Sequence, residues 1–317
     1  MGFIGKRLLI TGVTLFLVSV VTFGAFRFIP GDAALLALGI DATDAQVQAL
    51  RAEMGLDKSY PEQYFSWLRK FLTGNLGYSA RFRGVSVSQM IGERLPVTLS
   101  LAALSFLFII IISVSFSLLA VKEENSASNH IINTLTAVNI SIPGFFLGVL
   151  FIWVFGIIFK LFVPGAYVSY AENPLAFLGC LVFPALAIAL PNSALVVKFL
   201  RASVFRELQS DYVRTVKSKG GSRRRILKLH VLKNASLPAI TLLGMIIGEI
   251  LSGSIVIEQV FGIPGMGRLL LVSITARDYI MIETIVIYIA FAVIFANTLA
   301  DIVLQIIDPR IRIAEKV

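Results

Sequence analysis

Charge is scarce in this sequence. Only 15% of its 317 residues are Asp, Glu, Lys or Arg, against 57% that are hydrophobic, where a soluble domain carries about a quarter charged residues. With a mean hydropathy of +0.85, the chain belongs in a bilayer. Cysteine is nearly missing. Cys180 stands alone inside an apolar run, so no intramolecular disulfide forms, the redox compartment stays unread, and the residue reads as a small packed hydrophobe. There are two histidines, His130 and His230. There is no G-x-x-x-x-G-K-[ST], so ATP has to be bound by another chain. H-E-x-x-H and G-x-S-x-G are missing as well, which removes the catalytic clusters that an integral membrane enzyme holding a phosphorylated lipid would need. Internal repeats and low-complexity segments are not seen.

What remains is hydrocarbon in long runs. Crossing the bilayer core takes about 20 residues at 1.5 Å each. Runs of that length occur at Leu8 to Phe26, Val97 to Val121, Ile131 to Phe159, Asn173 to Val197, Asn234 to Ile257 and Thr284 to Ile307, the last two interrupted only by Glu249 and Asp301. The expectation is an all-α integral membrane protein with six transmembrane helices. The first run follows Lys6 and Arg7 like a secretory signal, but it is longer than a signal core and has no small-x-small cleavage site, so it reads as an uncleaved helix. With the N-terminus inside, segments 1–7, 122–130, 198–233 and 308–317 carry 2, 1, 11 and 3 basic residues, 17 of the 28 in the chain. The positive-inside bias therefore places both termini in the cytoplasm.

Three regions follow: 1–29 with the first span, 30–95 as an extracytoplasmic segment, and 96–317 as the transmembrane core. In the second, DATDAQVQALRAEMG offers Thr43 or Asp44 as a helix cap and puts Val47, Leu50 and Met54 on one face. PEQYFSWLRKFL begins at Pro61 and stacks Tyr64, Trp67, Leu68 and Phe71. Both read as short amphipathic helices against the outer face of the bundle, aromatic residues near the headgroups. TGNLGYSARFRG is a turn-rich return.

The core carries one polar loop, 201–233, and the stretch DYVRTVKSKGGSRRRILKLHVLKNASLP, residues 211–238, is strongly basic. Basic residues beside a membrane most often set topology and attract anionic lipid, at about 1 kcal/mol each, and Arg223, Arg224 and Arg225 are read that way. Nucleic acid is a poor partner for a loop whose one aromatic is Tyr212. In helical register Tyr212, Val213 and Val216 form an apolar face while Arg214, Lys217 and Lys219 stay solvated, and Gly220 and Gly221 stop the helix. A short helix of this kind suits docking into a partner's groove.

RASVFRELQSDYVRTVKSKG followed by HVLKNASLP, with Pro238 eighteen positions after Gly220, resembles the cytoplasmic coupling loop of ABC importer permeases of the dipeptide, oligopeptide and nickel class. FIPGDAA, MGLDKSYPEQYFSWL, GNLGYS, ERLPVTLSLA, EQVFGIPGMGR, RDYIMIET and NTLADIVLQIIDPRIR are similar to family segments in the same order. Where many ABC permeases have an Ala-rich EAA signature, this chain has Arg214, Thr215 and Val216. The resemblance implies the type I ABC importer permease fold in a bacterial inner membrane. It also implies a second homologous permease, two cytoplasmic ABC ATPase subunits that hold ATP and Mg, and an extracytoplasmic solute-binding protein. No cofactor and no metal-ligand set is expected on this chain. Asp211, Tyr212, Val213, Arg214, Val216, Lys219 and Gly220 would couple to the ATPase.

In the fifth span Gly244, Gly248 and Ser252 recur every four residues, a small-residue face for helix packing. Glu249 stands inside the hydrocarbon zone, where a charge costs about 2.5–3.5 kcal/mol, so it should face a pathway or a paired group. Met245, Glu249, Ser252 and Asp301 are the expected pathway residues, although Asp301 equally suits a helix-end bond to a neighbour. NASLPAIT followed by GMIIGE is more similar to nickel-type members, which favours nickel or a nickel chelate as solute, with di- or oligopeptide import as the alternative. Both histidines fall in cytoplasmic segments, which argues against a dedicated Ni(II) site in the pathway. FGIPGMGR demands a turn. The resemblance adds a gate or binding-protein dock there, with Pro264, Gly265, Gly267, Arg268, Arg277 and Asp278.

Overall fold

The computed structural model describes residues 3–27, 43–79, 81–82, 84–122 and 127–307. The FIPGDAA motif and the end of NTLADIVLQIIDPRIR, from residue 308, fall outside them, as do the side chains of Arg223 and Arg224. The described secondary structure is helical, with one isolated bridge between Tyr78 and Ser86. The first long helix is α1 (Phe3–Arg27). Helix α2 (Asp44–Met54) starts on a reciprocal cap: the Thr43 amide donates to Gln46 Oε1 at 2.9 Å and the Gln46 amide to Thr43 Oγ1 at 3.4 Å. Helix α3 (Tyr60–Leu72) starts one residue before Pro61, where the Ser59 amide reaches the Glu62 carboxylate at 3.2 Å.

The core is built from α4 (Val87–Lys122), α5 (Ala127–Ser141), α6 (Gly144–Phe151), which continues as a wider π turn to Ile158, and α7 (Pro174–Leu208). A short helix α8 (Asp211–Ser218) precedes α9 (Arg223–Ile226), which runs through a π turn into α10 (Leu232–Phe261). The chain ends in α11 (Met266–Thr275) and α12 (Tyr279–Ile307). Five stretches are long and apolar enough to cross a bilayer: Gly5–Arg27, Val87–Leu119, Pro174–Leu208, Leu229–Phe261 and Tyr279–Ile306.

The expected straight span Ile131 to Phe159 is instead two helices bent by 103°. Pro143 is the cause. It has no N–H to continue the helix of α5, its ring disfavours a helical Ile142, and it sits extended at φ −62°, ψ 140° before α6 begins.

Helix α7 is central, packed against α4, α5, α6 and α10. Ala185, Ala187 and Ala189 are fully buried on it and let neighbours come close. Gly244 and Gly248 lie against α12: an added Cβ would stand 2.9 Å from Ala300 Cβ and 3.2 Å from Val293 Cγ1. Helix α1 closes on the outer side of α12 through an Arg7–Asp301 ion pair and a 2.8 Å bond between the Thr11 and Thr298 hydroxyls. Because α4 enters where α3 leaves off and α10 starts after α8, the bundle has two distinct ends, one carrying α3 and α11, the other α8.

Candidate functional site

At one end α8 lies between the end of α7 and the start of α10. Its apolar face turns inward. Val213 is 6% exposed and belongs to the central core, with Tyr212 and Val216 packed on that core. The Tyr212 phenol donates to Glu207 at 2.8 Å and accepts from the Asn234 amide at 3.4 Å, so one ring links α7, α8 and α10. Burial, then the bond to Glu207, raises the Tyr212 pKa above its ordinary value, against the lowering effect of Asn234. The phenol thus stays a donor at neutral pH. Within the chain Tyr212, Val213 and Val216 hold the helix to its own core, because burying them there removes their apolar surface from water. Asp211, Arg214, Thr215, Lys217, Ser218 and Lys219 are left outward. Gly220 closes the helix at φ +82° with open space around it, while the Gly221 amide returns to the Val216 carbonyl at 3.1 Å.

Among the described residues, one face of α10 is exposed along its length. Thr241, Met245, Glu249, Ser252, Val256 and Gln259 follow at helical spacing and are all exposed, Met245 to 69%. Glu249 sits 12 residues, about 18 Å, from the Phe261 end of a 33-residue apolar stretch. The Ser252 hydroxyl donates back to the Glu249 carbonyl at 3.1 Å. Lipid cannot cover this face cheaply, since a carboxylate at mid-bilayer costs about 3 kcal/mol. Met245, Glu249 and Ser252 are therefore brought together. Gly244 and Gly248 point away to α12, and Asp301 pairs with Arg7 at the α1 seam instead of joining the stripe.

The opposite end of α10 is locked. Glu258 is fully buried, and its carboxylate accepts the Thr98 hydroxyl at 2.6 Å and the amides of Gly267 and Arg268 at 2.8 and 3.1 Å. The Met266 amide in turn donates to Thr98 Oγ1 at 2.8 Å. The carboxylate oxygens thus meet the unpaired first amides of α11. Arg94 donates to the Pro264 carbonyl at 3.3 Å. A second buried carboxylate, Asp278, accepts the Ser79 hydroxyl at 2.5 Å and the amides of Arg81 and Met281 at 3.4 and 3.3 Å. Pro264, Gly265, Gly267 and Asp278, expected at a gate or dock, form this interior junction. Only Arg268, bound to the Gly262 carbonyl, and Arg277, at φ +55°, present side chains outward.

Sequence reading found the segment but not Glu258, Thr98 or Ser79. A carboxylate seven and nine residues ahead of Gly265 and Gly267 was the available signal. Among the described residues, no three His, Cys, Asp or Glu side chains converge as a metal-binding group.

Residues 116–313 match the binding-protein-dependent transport system inner membrane component, and residues 1–102 match the N-terminal membrane component of such systems. A putative peptide transport system permease protein of Brucella abortus is 34% identical over 93% of this chain and 94% of its own length. A probable peptide ABC transporter permease of Sinorhizobium fredii is 33% identical over 98% and 99%. An oligopeptide transport system permease protein of Bacillus subtilis is 31% identical, again over 98% and 99%. The chain belongs to this family: it is an inner-membrane permease subunit of an ABC importer, a transport component and not an enzyme.

Proposed function

We propose that this permease passes di- or oligopeptides, delivered by an extracytoplasmic binding protein, along the open face of α10, which closes into a pathway against a second permease. The N-terminus, C-terminus and α8 lie in the cytoplasm, and two ATPase subunits grip the polar outer side of α8. The observation that carries the reading is the uninterrupted stripe from Thr241 to Gln259 with Glu249 at its middle: a face too polar for lipid and too long for a single ligand. The names of the relatives support peptide over the nickel solute expected above. Displacement of α8 would reach α7 and α10 together through Tyr212.

The test is ATP-driven uptake by liposomes holding the complete importer with its binding protein, supplied with radiolabelled di- and tetrapeptides or with radiolabelled nickel, free and chelated. Peptide uptake without nickel uptake is expected. In the same vesicles Glu249→Gln should lower peptide uptake about tenfold at unchanged complex yield. Nickel uptake without peptide uptake would replace this reading.

A further inference from the structure

Helix α3 is seated far from where a helix on the outer rim would sit. Tyr64 donates to or accepts from Ser19 at 2.8 Å and packs edge-on against Phe16 and Phe23 of α1, at 6.3 and 5.4 Å between ring centres. Phe71, two turns along, meets Tyr288 and Phe291 of α12 at 5.1 and 5.5 Å. Ser19 is eight residues, about 12 Å, inside the Arg27 end of α1, and Tyr288 is nine residues, about 13 Å, inside the Tyr279 end of α12. Tyr64 and Phe71 therefore both rest well within the length of two membrane-crossing helices. Helix α3 lies across them.

Its surface divides three ways. Tyr64, Trp67 and Phe71 form the seated edge. Phe65 and Leu72, each one position later and so about 100° further round, are large apolar side chains exposed to 65% and 73%. The third edge, Glu62, Ser66 and Lys70 at four-residue spacing, is exposed and polar, with Arg69 between it and Leu72. A helix in water has use for one apolar edge, against its protein; a helix meeting protein, hydrocarbon and water at once needs two apolar edges and one polar one.

We infer that α3 is sunk edge-on into the outer leaflet, with phospholipid as the occupant of its open apolar edge. Acyl chains cover Phe65 and Leu72, and Arg69 and Lys70 reach up to the phosphate layer along their aliphatic stems. The depth of the Ser19 and Tyr288 contacts, and the exposed apolar side chains of α1 beside them, Phe16 packed on Tyr64 and Val20 and Val21 next to Ser19, favour lipid over a protein partner. The inference does not depend on which solute is carried.

The complete importer, in a Cys180→Ala background, is reconstituted into vesicles of phosphatidylethanolamine and phosphatidylglycerol, with a nitroxide attached at Phe65→Cys or Ser66→Cys. Collisional relaxation by oxygen, which concentrates in hydrocarbon, is compared with that by a neutral water-soluble nickel chelate. Position 65 should favour oxygen and position 66 the chelate, and Leu72→Cys should repeat the behaviour of 65 should the first variant assemble poorly. Preference for the chelate at 65 and 72 would put the helix in water and overturn the inference. Protection from both reagents there would mean that the second permease or the binding protein covers the edge, and would equally overturn it.

Discussion

A methyl group at residue 265 has no room. An ideal Cβ on Gly265 falls 2.3 Å from Glu258 Cδ, and that carboxylate cannot retreat because a hydroxyl and two amides hold it. Gly265→Ala should therefore separate a buried carboxyl group from its hydrogen-bond partners, at a cost of about 1–3 kcal/mol, a large share of a total stability of roughly 5–15 kcal/mol. Thermal unfolding in detergent, followed by loss of the monodisperse peak, measures it; an unchanged midpoint would remove Glu258 from this role. Glu258→Gln should do less harm. The amide oxygen can keep the Gly267 and Arg268 amides, and only the Thr98 side loses its acceptor. Glu249 looks similar in the sequence, another acid in an apolar run, yet it is exposed on a bare face while Glu258 is fully buried. A one-letter code cannot separate them, because the difference lies in what the neighbouring helices bring.

The same lesson holds for α8. Its extent, its apolar face and its stop at Gly220 were all legible, since helical spacing and glycine fix local structure. The destination of that face was not. Periodicity says that one side of a helix is buried but not against what, and for α8 the answer is the chain's own core. Likewise the third span was legible as hydrocarbon, but the 103° bend rests on Pro143, and hydropathy does not register a missing N–H inside a run of apolar residues. Two substitutions on α8 should consequently differ in kind. Val213→Asp puts an unpaired charge where 6% of the residue is exposed, at a cost of about 3–5 kcal/mol, and should detach the helix and lower the yield of the permease itself. Lys217→Glu, on the outward side, should leave the permease folded while reducing co-purification of the ATPase and peptide-stimulated ATP hydrolysis. Equal permease yields for the two variants would show that Val213 is not an anchor.

The whole molecule buries Leu101, Leu181, Ile246 and Ile285 and leaves the stripe of α10 exposed among the described residues; the proposed pathway would need a second surface to close it. Five membrane-length helices and the apolar run that became the bent pair α5–α6 were legible from hydropathy alone, with family membership in their ordered motifs; the depth of α3 was not, because contacts such as Ser19 with Tyr64 are not encoded locally. Orientation is open to direct measurement. In a Cys180→Ala background a cysteine at Ser222 should react with a membrane-impermeant maleimide only from the cytoplasmic side, and one at Ser59 only from the other. Both positions are exposed. The reverse pattern would invert the sides assigned to α3 and α8.

The junction at Glu258 also has a history. Thr98 and Glu258 are 160 residues apart in the chain, and at a translation rate of about 5–20 residues per second the hydroxyl waits on the order of ten to thirty seconds for its acceptor to be made. By the end of that interval α4 and α7 have been synthesised, while α11 has still to be made. Ser79 waits longer still, 199 residues, for Asp278. The α11 end of the molecule is therefore sealed last, during the final stretch of synthesis, and a ribosome that stalls after the first four spans leaves behind a bundle whose α11 seam was never fastened.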